Sequence, residues 1–177
     1  INKFTNNRFK NIKLNENATP IFSDKTYPVN KKDFLNSEIL EDQTLLIFEN
    51  NMTFEFSDFK EHKFKKILLV LNNTNRAIKL SEKVLKFKAN LLKDQKVRLE
   101  EKSINCETIN ISDLKNITKK VYAFYPAVGE NLDFIQNNQL KNIKFLYRKL
   151  DQFSWQYCNK GFFNFKNYIP KIISIFN

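Results

Sequence analysis

The residues of this chain that could do chemistry are few and scattered. The segment Tyr125-Pro126-Ala127-Val128-Gly129-Glu130 stands where a β-branched and aromatic run, Val121 to Phe124, gives way to a helical pattern. In open α/β sheets that position, at the carboxyl edge, is where ligands bind. Its polar groups are Glu130 and the following Asn131 alone, so a turn shaped by Pro126 and Gly129 competes with a ligand loop, and the shortage of polar groups favours the turn. His62, between Glu61 and Lys63, lacks the second ligand or orienting carboxylate that metal or triad chemistry needs and reads as a solvated surface residue. Cys106 and Cys158 are too far apart to read as a disulfide framework or a zinc site, and a reducing cytoplasm is their simplest home. With Gly129 and Gly161 the only glycines, neither the dinucleotide nor the nucleotide-triphosphate fingerprint can be written. The sequence therefore offers no catalytic residues and no metal ligands of its own.

A second group is aromatic. Trp155, Tyr157, Phe162, Phe163 and Phe165 are interleaved with Lys160 and Lys166, a mixture that suits base stacking beside phosphate contacts if it is exposed. The spacing places the Phe residues on neighbouring helix faces, which assigns them to the core and leaves the lysines open. Trp155 is expected to pack against the sheet, where truncation to Ala would cost roughly 3–5 kcal/mol. Lys and Arg number 30 against 19 Asp and Glu, a net charge of +11 that favours polyanions such as DNA. Drift toward Lys and Asn in an AT-rich genome explains the surplus equally well. No apolar run is long enough to span a bilayer, and no membrane partner is expected.

The elements that must position these residues are legible as periodicities. Leu45 to Phe48 and Ile67 to Leu71 are continuous apolar runs without alternation, which need cover on both faces and predict strands of a parallel sheet; Val121 to Phe124 and Ile143 to Tyr147 extend the series. Between them Leu80, Val84, Phe87 and Leu91 recur at helical spacing, joined by Leu85 and Leu92, with Lys79, Glu82, Lys83, Lys86 and Lys93 on the other face. Of Lys96 to Leu99 and Cys106 to Ile109, one reads as a strand and the other as a turn or edge. Ser112 is a candidate cap for a short helix, and Glu130 to Gln136 reads as another. Helices over Phe153 to Cys158 and Phe162 to Ile173 finish the chain, with Gly161 suited to a helix C-terminus. This βαβ succession predicts an α/β fold: a largely parallel, Rossmann-like sheet with helices on both faces. Residues 41–177 are read as a single domain and 1–40 as an extended connector from a preceding domain. The start at Ile1 rather than Met suggests a piece of a longer protein.

Three segments carry a family resemblance. Ile1-Asn2-Lys3-Phe4-Thr5 resembles the segment that follows the flavin-binding helical domain in a bacterial branch of the photolyase and cryptochrome family. Lys66 to Leu71 followed by Leu80-Ser81-Glu82-Lys83-Val84 is similar to a strand and helix of that branch's trailing α/β region, and Trp155 to Lys166 resembles its Trp-x-x-x-x-Lys-Gly-Phe-Phe ending. The resemblance implies a full-length flavoprotein that uses FAD and blue light for DNA repair or signalling, with a helical flavin domain preceding this segment. It places Asn2, Lys3 and Arg8 near the edge of the flavin site, with no catalytic activity in the segment itself. The Trp-Phe-Arg-x-Asp-Leu-Arg entry motif of the family's antenna domain is absent. A nucleotide-sugar-dependent glycosyltransferase half-domain, binding near Tyr125 to Asn131, and a noncatalytic interaction domain are the other readings.

Overall fold

Because every residue of the two longest apolar runs must be covered, they end up side by side at the middle of a sheet. The computed structural model describes residues 36, 39, 41–73, 79–158 and 161–176, all within the unit Phe34–Asn177. The strands are β1 (Thr44–Phe48), β2 (Lys66–Leu71), β3 (Cys106–Asn110), β4 (Val121–Phe124) and β5 (Ile143–Leu146). They lie in the order β3-β2-β1-β4-β5, every pair parallel. Leu46 of β1 sits in register with Leu68 on one side and Ala123 on the other.

Alternate residues of each central strand serve opposite cores. On one face Leu45, Ile47, Ile67, Leu69, Tyr122 and Phe124 pack with Phe54 and Phe59 of the β1–β2 connection and with Leu92 and Leu99 of helix α1 (Glu82–Glu101). On the other, Leu46, Phe48, Leu68, Val70, Val121 and Ala123 meet Ile111 and Leu114 of the 3-10 turn Ile111–Asn116 and Phe134 and Ile135 of helix α2 (Glu130–Asn137). The fold is the expected Rossmann-like α/β sandwich. Each fully buried Leu or Ile contributes about 1.5–3 kcal/mol of transfer free energy. Strand β3 is an edge: Glu107 and Thr108 are exposed, and Glu107 pairs with Lys66 across the ladder at 2.7 Å, the kind of charge that blunts an open edge. Helices α3 (Lys149–Trp155), α4 (Phe162–Phe165) and α5 (Ile169–Phe176) complete the chain, a 3-10 turn (Lys166–Tyr168) joining the last two.

Several expectations need correction. Lys96 to Leu99 is neither strand nor turn, because α1 continues through it to Glu101, and Cys106–Asn110 is the strand. The buried face of α1 is Lys88, Leu92, Gln95 and Leu99, whereas Val84 and Phe87 of the expected apolar stripe are exposed. The 3-10 turn after β3 is capped from Asn110, whose backbone N–H donates to the Asp113 carboxylate at 3.0 Å, rather than from Ser112. Gly161 precedes a helix instead of ending one, at φ +79°. Phe162 and Phe163 are exposed, not core, since α4 is a single turn too short to turn both rings inward. His62 is half-buried with its ring against Phe64, 4.5 Å between centroids, rather than solvated. The 1–40 connector lies outside the described residues except at Asn36 and Ile39; Asn36 exchanges hydrogen bonds of 2.9 and 2.8 Å with the Tyr147 backbone.

Candidate functional site

Strand order reverses direction between β1 and β4: the chain winds outward from β1 to β3, then crosses to β4 and winds the other way. Connections leave such a pair on opposite sides, and the gap beyond their carboxyl ends is the usual ligand crevice of open α/β sheets. A crevice of about 680 Å³ opens at this point. Its floor is Glu49 and Asn50 from the end of β1. One wall is the row Leu80, Val84, Phe87 and Leu91 on and before α1, and the other is Pro126, Val128, Gly129, Glu130 and Asn131.

The loop after β4 is built for this place. Ala127 and Gly129 both take positive φ, +58° and +130°. A Cβ on Gly129 would meet nothing within 4 Å, so glycine is needed there for its backbone angle and not for space. The Asn50 side-chain amide donates to the Pro126 carbonyl at 2.9 Å, tying the end of β1 to the loop, and Gly129 caps α2 so that Glu130 and Asn131 face the crevice from its first turn.

Lys88 projects from the buried face of α1 into the middle of this arrangement. Its ammonium lies 2.6 Å from Glu49 Oε1 and 3.2 Å from Glu130 Oε1, and it also donates to the Asn72 carbonyl at the end of β2. Asn72 is fully buried, and its amide donates to Asn131 Oδ1 at 2.9 Å. Three strand ends and two helices are thus joined through one ammonium and two amides. The Glu49 side chain is 8% exposed, and its second oxygen, Oε2, has no hydrogen-bond partner among the described residues; the same holds for Asn72 Oδ1. Buried acceptors of this kind are costly unless a donor reaches them. Among the described residues, three carboxylates, of Glu49, Glu130 and Asp133, line the crevice against the single ammonium of Lys88. That balance is unfavourable for a phosphate and favourable for hydroxyl or cationic donors.

Beyond β4 and β5 the edge is aromatic and closed. Tyr125, Tyr147 and Trp155 meet edge to face or tilted, with centroids 5.2–6.3 Å apart, and Trp155 is half-buried in that group rather than sunk against the sheet. Burial raises the phenol pKa values of Tyr125 and Tyr147 above the ordinary value, with the neighbouring Tyr125 adding to the effect on Tyr147. Arg148 lies over the Phe124 ring and distributes its donors to Asp151, Thr53 and Asn51 at 2.7, 2.8 and 3.1 Å. It is a clasp between the β1–β2 connection and α3.

Of the positions singled out in the sequence, Glu130 and Asn131 are in the crevice. Asn2, Lys3, Arg8 and Lys160 lie outside the described residues. Glu49, Asn72 and Lys88 carried no signal beyond their types: an acid and an amide one residue past apolar runs, and a lysine among many on a helix. The first two could have been found by inspecting the residue just past the end of each buried strand. Among the described residues no three His, Cys, Asp or Glu are grouped to hold a metal, and no helix is long and apolar enough to cross a membrane. No protein-family model, curated protein or solved structure matches the chain.

Proposed function

We propose that this domain is one α/β half of a nucleotide-sugar-dependent glycosyltransferase, and that its switch-point crevice holds the hydroxyl-bearing part of the ligand, a ribose or hexose ring. The supporting observation is the Glu49 carboxylate, buried at the crevice floor with Oε2 lacking a donor among the described residues. The carboxylates of Glu49, Glu130 and Asp133 around the crevice are acceptors for a vicinal diol, and an acid at a strand end is how α/β sheets commonly hold sugar hydroxyls. The apolar row Val84, Phe87 and Leu91 opposite gives a flat, non-polar wall for the ring or base. The excess of carboxylate among the described lining residues disfavours the diphosphate beside them.

Thermal-shift and calorimetric titrations with a uridine diphosphate hexose, uridine, glucose and inorganic phosphate test this. The nucleotide sugar should raise Tm and phosphate should not, because only ligands bound by the native state stabilise it. Glu49→Gln keeps the shape and the Lys88 contact and should weaken binding roughly 10- to 100-fold, the loss expected for a hydrogen bond to a charged group. Absence of any shift with sugar-bearing ligands, or an equal response to phosphate, would reject the reading.

The photolyase-like reading is carried by the segments Ile1 to Thr5, Lys66 to Leu71 with Leu80 to Val84, and Trp155 to Lys166. It makes FAD the cofactor of the whole protein and DNA its partner. A visible spectrum of the purified full-length protein decides it: flavin absorption supports it, and a folded colourless product removes it.

A further inference from the structure

We propose that the C-terminal face carrying Phe162, Phe163, Lys166 and Ile173 seats this protein on an anionic lipid surface. Gly161, at φ +79°, turns the chain into α4 and leaves Phe162 65% and Phe163 84% exposed, while Ile173 on α5 is 51% exposed. Phe162, Lys166 and Ile173 are all exposed along the consecutive helical turns of 162–176. Other side chains of these turns anchor them: Ile172 is buried, and Tyr168 stacks on Tyr157 with centroids 4.2 Å apart. The exposed rings are therefore held outward by a packed support.

Charge selects the occupant. From Gln152 onward the sequence contains no Asp or Glu, and Lys166 stands exposed close in sequence to Phe162 and Phe163, within a chain of net charge +11; Lys171 is turned instead to the Tyr157 and Phe153 rings. Aromatic and aliphatic side chains beside lysines, without acids, match a membrane interface: rings and branched chains enter the acyl boundary while ammonium groups meet anionic headgroups. Ile173, about half exposed, gains from acyl contact and offers nothing to a stacked base, which favours lipid over nucleic acid.

Co-sedimentation of the 177-residue chain with vesicles of phosphatidylcholine alone, and of phosphatidylcholine mixed with phosphatidylglycerol, tests the proposal. Binding should require phosphatidylglycerol. Phe162→Ser/Phe163→Ser should lower partitioning by about tenfold or more while leaving the circular dichroism unchanged, because both rings are exposed. Lys166→Glu, a separate surface change, should lower it as well, so the outcome does not hang on one variant. The proposal fails if neither vesicle binds, or if both variants bind as the parent does. It also fails if a single-stranded oligonucleotide displaces the protein from vesicles and its own binding is lost in the Phe variant. A dimer that the Phe variant converts to monomer would assign the face to a second copy and overturn it too.

Discussion

Lys88 is the residue on which the carboxyl edge depends, because its ammonium compensates two carboxylates that the fold has taken largely out of water. Lys88→Met should cost about 3–5 kcal/mol, the penalty of leaving buried charge without its partner. Adding Glu49→Gln and Glu130→Gln should recover much of that loss, which urea denaturation of the single and triple variants would show. Trp155 is a milder case. Half-buried among Tyr125 and Tyr147, its truncation to Ala should fall below the roughly 3–5 kcal/mol of a fully buried aromatic, and the same denaturation series measures it. The two tyrosines also set a pH limit. Their folded pKa values are raised, so above roughly pH 10, where unperturbed phenols titrate, the unfolded chain loses protons first and stability falls as pH rises. Tm should be insensitive to these phenols below that point. The alkaline decline should be shallower in a Tyr125→Phe/Tyr147→Phe variant, in melts recorded across the alkaline range.

At the scale of elements, α1 shows why a helix can be found in a sequence and its inward face still be misread. The stripe Leu80, Val84, Phe87, Leu91 is apolar but borders the crevice, while the face on the sheet includes Lys88 and Gln95. Gln95 Nε2 donates to Glu55, itself ion-paired with Arg98 at 2.7 Å. Polar residues are tolerated inside only with such partners, and those partners come from the β1–β2 connection, about 40 positions away in sequence. Leu92→Ala should therefore cost about 2–5 kcal/mol and Phe87→Ala little in stability, with Phe87→Ala instead weakening ligand binding; melts and titrations of the two variants separate the roles. Four strands were legible because buried parallel strands are written as unbroken apolar runs, and β3 was ambiguous because this edge strand is interrupted by the exposed pair Glu107 and Thr108. Half of the crevice was legible, since Glu130 and Asn131 adjoin a turn signal. Glu49, Asn72 and Lys88 become a site only through strand order, which local periodicity does not encode.

At the scale of the whole molecule, the charge surplus acts without regard to any pocket. The chain should bind DNA weakly, with affinity falling steeply between low and physiological salt as released counterions lose their advantage, a dependence that anisotropy titrations measure directly. Tight, salt-insensitive binding would point to a specific interface instead. The strand order has a consequence of another kind. β1 lies at the centre of the sheet, yet one of its two neighbours is β4, and the paired residues Leu45 and Tyr122 are 77 positions apart. At translation rates of about 5–20 residues per second, roughly 4–15 s separate the synthesis of the two. Once β2 has been made, the β1 side of the apolar β1–β2 pair keeps an open ladder of amides and carbonyls for the rest of that interval. A chaperone that covers Leu45 to Phe48 until Phe124 has left the ribosome would thus govern how much of this protein reaches its native state, whatever the stability of the finished fold.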